Sequence, residues 1–254
     1  FSFHKGMSFR LLARWGVKSA KRIIADSEFT KKDIIERYKV DEKKIEVIYL
    51  APDESFKKIA DQSLLEKTRL KYGIRKDYLI HVGAIHARRN IKRLLEAFQK
   101  IKGKNFNLQL VLVGGLNVKA SDFHSLIHVL NLQSEVLHLT YVTEEDLVCL
   151  YNDAKALIYP SLYEGFGLPL VEAMACGTPV VAANATCIPE IVGEAALLFD
   201  PYSIEDIATK IMKILNNQQL REELSIKGIQ RAQCYSWKKA AQRTINVYNQ
   251  ALGG

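Results

Sequence analysis

Cysteine is scarce in this chain of 254 residues: Cys149, Cys176, Cys187 and Cys234 lie far apart, with no C-x-x-C pair. That argues against a zinc ribbon or a disulfide scaffold and for a reduced, cytoplasmic setting. Long apolar runs are missing as well. No stretch approaches ~18 uninterrupted apolar residues, so no membrane-spanning helix is expected. Internal repeats and low-complexity segments are also lacking, and the overall composition is that of a globular protein.

Acidic residues are absent from positions 1–22, which hold Lys5, Arg10, Arg14, Lys18, Lys21 and Arg22. Those six cations supply most of the net charge of +8, and the rest of the chain is near balance. A nucleic-acid binder with basic patches throughout is therefore a poor reading, and no nucleic-acid partner is expected. Charges interrupt every apolar stretch of this segment, so it is not a secretory signal. Arg10, Arg14, Lys18 and Lys21 or Arg22 recur at helical spacing. They read either as a contact with an anionic membrane surface through residues 5–22 or as the solvated face of a helix packed on its own domain. The start at Phe1 rather than Met reads as a fragment or a processed product.

What is present is an alternation of two segment types. Short β-branched runs read as buried parallel strands at 22–25, 45–50, 78–82, 108–113, 136–139, 156–159 and 179–182. Helical periodicity fills 30–38, 91–101, 121–130, 144–152, 169–175, 204–215, 219–233 and 237–252. Strand–helix alternation of this kind specifies a doubly wound, Rossmann-like α/β sheet, which binds ligands at the carboxyl ends of its strands. The pattern breaks at Ala51-Pro52-Asp53-Glu54-Ser55, the candidate linker. Residues 51–235 then read as one complete domain, residues 1–50 as the remnant of another, and 236–254 as a helix crossing back to that remnant.

The most informative segment runs from Tyr159 to Ala182. A strand ends, a loop with Gly165 and Gly167 follows, and a helix opens at Pro169. Glycines let the backbone approach a ligand, and free N–H groups at a helix start suit phosphate. Glu164 in the loop and Glu172 in the helix can accept hydrogen bonds from vicinal hydroxyls of ribose or sugar. Glu172 reads equally as an acid complementing the helix dipole. Gly165-x-Gly167-x-x-Leu170 lacks the third glycine of a dinucleotide fingerprint, which disfavours nicotinamide binding.

This segment resembles the glutamate-x7-glutamate motif of glycosyltransferase family 4. Glu164 and Glu172 have its spacing, with Gly165, Phe166, Gly167, Leu168 and Pro169 between them. Ile24–Thr30 resembles the last strand and helix of that family's amino-terminal domain, and Val47–Pro52 its crossing between domains. The resemblance implies the two-domain GT-B fold and retaining transfer of a hexose, mannose or glucose, from a nucleotide diphosphate sugar. The acceptor would be a saccharide or lipid-linked hydroxyl in polysaccharide or glycolipid assembly. No cofactor and no obligatory metal are implied, and the setting would be cytoplasmic or peripheral on the inner membrane face.

The same resemblance implies a diphosphate loop in His81–Asn90. The family's Gly is Gly83, and its lysine six positions later is Arg89. An arginine often directly follows that Gly. Here Ala84 stands there, and Arg88 would supply the second charge. The expected catalytic groups are thus Glu164, Arg88 and Arg89. Glu172 would hold the ribose, and Gly114 and Val142 would frame the base, although Gly114 also reads as a plain turn glycine. His81 reads as a satisfied strand residue and Glu190 as a structural or capping acid. The family's functional histidine has no match, since His4 lies outside the motif, so the chain alone is expected to bind nucleotide but turn over poorly. Two other readings remain open, a non-catalytic nucleotide-sugar-binding module and a GT-B epimerase.

Overall fold

The computed structural model describes residues 3–103 and 107–253, with side chains from Arg10 onward. It forms two compact units, Phe1–Ala51 with Tyr235–Gly254, and Pro52–Cys234. Lys5 and His4, singled out above, have side chains outside the described residues.

The smaller unit contains α1 (Phe3–Ser19), β1 (Ile23–Ala25), α2 (Glu28–Tyr38), β2 (Ile45–Val47) and, from the end of the chain, α11 (Trp237–Leu252). The Ser27 hydroxyl caps α2 by accepting from the Thr30 amide at 3.0 Å. β1 and β2 pair in parallel, and Ala25, Ile45 and Val47 form a small core with Ile34 and Ile35. β2 is shorter than the apolar run 45–50, because its partner ends at Ala25 and leaves residues beyond Ile48 without a ladder. Ile48 instead packs with Ala240 and Val247 of α11.

Two expectations for the basic segment need correcting. α1 ends at Ser19, so Lys21 and Arg22 leave the helical face. They donate instead to the Ala251 carbonyl and, at 2.6 Å, to the Lys43 carbonyl. Nor are the large apolar side chains of α1 covered among the described residues: Leu11, Leu12 and Trp15 are 64%, 67% and 72% exposed, while Ala13 and Val17 are half-buried.

The larger unit holds α3 (Gln62–Lys71), β3 (Asp77–Val82), α4 (Ile91–Ile101), β4 (Leu108–Val113), α5 (Ala120–Val129), β5 (Val136–Leu139) and α6 (Glu144–Asp153). It continues with β6 (Ala156–Tyr159), α7 (Leu168–Ala175), β7 (Val180–Ala183), α8 (Ile188–Val192), β8 (Ala196–Phe199), α9 (Ile204–Asn216) and α10 (Gln218–Ala232). All six strands are parallel, in the order β5-β4-β3-β6-β7-β8. β6 and β7 are buried at every position and β4 likewise, as expected when helices cover both faces of a parallel sheet.

Chain order fixes which face each helix takes. β3 to β4 to β5 runs one way across the sheet, and right-handed crossovers place α4 and α5 on one face. The chain then jumps back to β6 and runs the other way, placing α6, α7 and α8 on the opposite face. The reversal leaves a crevice between the carboxyl ends of β3 and β6, where ligands bind in open α/β sheets.

Three elements carry no strong sequence signal. α3 is polar nearly throughout and buries only Leu65 and Thr68. Asp61, which accepts from the Ser63 amide at 3.0 Å, was its one local marker. β8 is a four-residue edge strand with three half-buried positions, and α8 spans five residues.

Candidate functional site

The loop after β3 and the loop after β6 meet at the crevice. Gly83 ends β3 with φ +137°, and a Cβ there would stand 3.3 Å from Arg89 Cζ. The bare glycine therefore lets the Arg89 guanidinium lie across the strand end. One turn of 3-10 helix, Ala87–Arg89, leads into Asn90, the N-cap residue of α4.

Arg89 reaches over to β6. Its Nη1 donates to the Tyr159 hydroxyl and to Oε1 of Glu164, and lies 3.3 Å from Ser161 Oγ. Its Cζ is 5.2 Å from the centre of the Tyr159 ring. Glu164 is 6% exposed, so this is a buried ion pair. Arg89 Nε is buried without a partner among the described residues. A guanidinium N–H in that position is a donor with capacity for an incoming anion.

Arg88 does not join this network. Its side chain is exposed, and its Nε donates to His86 Nε2 at 3.3 Å. Its backbone carbonyl accepts from the Leu162 amide at 2.8 Å, which ties the two loops together. Burial and the neighbouring Arg88 and Arg89 charges hold His86 below its ordinary pKa.

Asn90 fixes the pair from behind. It is buried in the left-handed region, φ 58°. Its amide donates to the carbonyls of Pro160, at 3.2 Å, and Pro201, at 2.7 Å, and its oxygen accepts from Arg93 at 3.0 Å. Neither Tyr159, Ser161 nor Asn90 was assigned a site role from sequence. Asn90→Leu strands two buried carbonyls and is expected to cost about 3 kcal/mol, read from the urea midpoint.

His81 is fully buried with Nδ1 3.0 Å from the Ile158 carbonyl, and its ring stacks on Tyr159. Burial pushes its pKa down to about 4, so it is neutral and donates from Nδ1. The strand residue is satisfied on one side only: its Nε2 is buried without a partner among the described residues. Glu190 likewise contributes a backbone carbonyl, which accepts from Arg231 at 2.6 Å.

Beyond Glu164 the loop turns into α7. Its amide donates to Thr186 Oγ1 at 3.2 Å, and Phe166 is buried. Gly167 caps α7 with φ +92°, and Leu168 and Pro169 form its first turn. Proline has no N–H to spare there, and the remaining free amides carry the positive end of the helix dipole. Gly177 follows the helix in the left-handed region, φ +73°, the usual glycine stop for a helix.

Glu172 sits one turn into α7. Its Oε2 accepts from the Tyr151 hydroxyl at 3.1 Å. Burial raises its carboxyl to about 7, the Tyr151 hydrogen bond opposing this and the Glu144 charge adding to it. The folded value lies above the ordinary 4.5, so the folded chain holds this proton more tightly than the unfolded chain. Its contribution to stability is complete below pH 4.5 and fades as the pH rises to about 7. Glu172→Gln is expected to flatten that slope, measured by urea unfolding at about pH 5 and about pH 7.5.

Further along the strand ends, Gly114 follows β4 with φ +140°, and a Cβ there would fall 2.4 Å from the Gly83 carbonyl oxygen. Gly114 is therefore required bare by packing, because the two loops touch there through backbone. Val142 is buried just ahead of Thr143, whose hydroxyl caps α6 by accepting from the Asp146 amide at 3.3 Å. Among the described residues, no group of three or more His, Cys, Asp or Glu is placed to hold a metal ion. No helix among them is long and apolar enough to cross a membrane.

Residues 66–231 match the family described as Glycosyl transferases group 1, and residues 2–56 match Glycosyltransferase Family 4. The chain is 33% identical over 234 residues to O-antigen chain mannosyltransferase B of Escherichia coli, covering 91% of this chain and 61% of that protein. It is 31% identical over 224 residues to O-antigen chain mannosyltransferase RfbU of Salmonella typhimurium, covering 88% of this chain and 58% of that protein. The chain thus spans about three-fifths of the length of these relatives. The Anabaena protein HepE, solved in complex with UDP-glucose, superposes with a TM-score of 0.86 at 22% identity, over 98% of this chain and 68% of that one. Sucrose-phosphate synthase from Thermosynechococcus elongatus superposes with a TM-score of 0.81 at 26% identity, over 96% of this chain and 61% of that one. With one family matched over well over half its length and a parallel sheet of GT-B type carrying the glutamate-x7-glutamate motif, the chain belongs to the group 1 glycosyl transferases, with a family 4 segment ahead of them.

Proposed function

We propose that the chain serves retaining transfer of a hexose from a nucleotide diphosphate sugar to an acceptor hydroxyl in polysaccharide or glycolipid assembly. The unit 52–234 is the donor-binding part. The observation that carries this is the buried Arg89–Glu164 pair at the crevice between β3 and β6. An acid that meets sugar hydroxyls and a cation that meets a diphosphate are the two groups such a reaction needs there.

Breaking the bond between sugar and diphosphate leaves negative charge on the diphosphate. Arg89 and the free amides at Gly167 and Leu168 would stabilise that charge where it develops, with Arg88 adding a more distant positive field. Glu164 would accept hydrogen bonds from the sugar hydroxyls and fix the ring against the leaving group. Glu172 would accept from the ribose, and Gly114, Gly165, Phe166 and Val142 would line the base and sugar walls. Ribose hydroxyls favour the charged carboxylate, so nucleotide affinity should rise through pH ~7, and Glu172→Gln should remove the carboxyl's part of that rise, leaving the part due to the ligand's own phosphate ionisation. No metal is needed in this scheme, because the cations are side chains.

Mannose is the preferred sugar, supported by the names of the Escherichia coli and Salmonella relatives. A guanosine diphosphate donor follows, with UDP-glucose the next choice. The acceptor would be a saccharide or lipid-linked saccharide. Leu11, Leu12 and Trp15, exposed beside Arg10, Arg14 and Lys18, support peripheral contact with an anionic membrane surface. The test is transfer from GDP-mannose to a mannose-terminated glycan, with the product anomer read by NMR. An α-linked product is expected. A β-linked product contradicts retention. The chain alone is expected to turn over poorly, so the transferase reading is contradicted when neither transfer nor nucleoside diphosphate binding is seen.

A further inference from the structure

The geometry points to His138 as a positioning residue for the nucleoside end of the donor, acting through the Gly114–Gly115 peptide. This inference rests on the donor reading above. His138 lies on β5, and its Nε2 donates to the Gly114 carbonyl at 2.7 Å. The ring stands edge-on to Phe123 of α5, with centroids 5.3 Å apart, so it occupies the α5 face of the sheet.

That hydrogen bond captures a carbonyl turned out of the strand ladder. The Gly114 amide still pairs with the Leu139 carbonyl at 2.8 Å, as a parallel strand should. At φ +140° its carbonyl then departs from the ladder and meets the imidazole. The Gly115 carbonyl accepts from the Ile85 amide at 2.8 Å, which pins the other side of the turn. A trans peptide is planar, with C=O and N–H pointing in opposite directions. Holding the Gly114 carbonyl on the α5 face therefore aims the Gly115 N–H toward the other face.

The other face is where α6 and α7 bring Val142, Tyr151 and Glu172. Nothing among the described residues accepts from the Gly115 amide. A Cβ built at Gly115 meets no atom within 4 Å, so the space beside it is open. Gly115 is half-exposed, and a fixed, unpaired N–H at the end of β4 suits an acceptor atom on a base, such as the ring carbonyl of uracil or guanine. His138 itself touches no ligand in this arrangement. It supplies affinity by preventing the Gly114–Gly115 peptide from rotating.

The test is calorimetric titration of the chain with UDP, GDP and inorganic pyrophosphate. His138→Leu, which cannot donate, is expected to weaken the better nucleoside diphosphate about tenfold, roughly the loss of one hydrogen bond. Pyrophosphate, held by Arg89, should bind unchanged. His138→Gln, whose amide can reach the carbonyl, should recover most of the affinity. His138→Asn, too short to reach, serves as the second loss variant should the leucine variant not fold. Unchanged nucleotide affinity in the loss variants overturns the inference, as does an equal loss for pyrophosphate. Wild-type chain that binds neither nucleotide nor pyrophosphate overturns the donor reading itself and this inference with it.

Discussion

Glu164→Gln is expected to tighten binding of the free nucleoside diphosphate while nearly abolishing sugar transfer. In the structure Glu164 neutralises Arg89 inside a buried pair. A diphosphate reaching Arg89 must compete with that carboxylate for the same guanidinium. Removing the charge while keeping the shape frees Arg89, and affinity should rise about tenfold, equivalent to ~1.4 kcal/mol. Transfer should fall by about 100- to 1000-fold, the loss typical when one group stabilising the transition state is removed. The two effects have opposite signs, which mere misfolding cannot produce. A general reduction of negative charge near the site would also tighten diphosphate binding, so the pairing needs a double-mutant cycle. The gain should vanish when Arg89→Ala is already present. A gain that persists there would mean that the pair is not the gate.

Gly114→Ala is expected to be among the most destabilising single-methyl additions in the chain. The added carbon would sit 2.4 Å from the Gly83 carbonyl oxygen, which is backbone and cannot rotate aside. The φ of +140° adds strain for any L side chain. Overpacking costs about 1–3 kcal/mol and the backbone strain about 1–3 kcal/mol more, so a loss of about 4 kcal/mol is expected in urea unfolding. Gly115→Ala is the matched control. Its Cβ meets nothing within 4 Å, and its stability should stay within about 1 kcal/mol of wild type.

The parallel sheet was legible because its central strands are buried on both faces and read as unbroken apolar runs, such as Leu108–Val113. Helix caps are local in the same way: Ser27 and Thr143 bond amides within three residues of themselves. β8 and α3 were not legible, since an edge strand and a mostly polar helix leave only weak periodicity.

The candidate site divides along the same line. Glu164, Gly167 and Glu172 lie in one contiguous motif, and their spacing is visible in the sequence. The partners of Arg89 lie some seventy residues away, at the end of β6 and in the loop after it, and which residues meet there depends on strand order. Tyr159 read as the end of a strand, Ser161 as loop and Asn90 as part of an arginine-rich turn. Their roles come from the reversal between β3 and β6, which local pattern does not encode. His138 escaped notice for a similar reason. A histidine on a short strand has no motif, and its carbonyl partner on β4 is set by register.

A diphosphate site built on Arg89 at the β3–β6 crevice underlies every donor contact proposed above. The most direct test is calorimetry of the wild-type chain and Arg89→Ala with UDP, GDP and ADP at fixed ionic strength. Selective binding of one nucleoside diphosphate is expected, with a loss of about 100-fold or more on Arg89→Ala, equivalent to a charge-assisted contact worth ~3 kcal/mol. Binding that Arg89→Ala leaves unchanged, or no binding of any of the three by the folded wild-type chain, would contradict it.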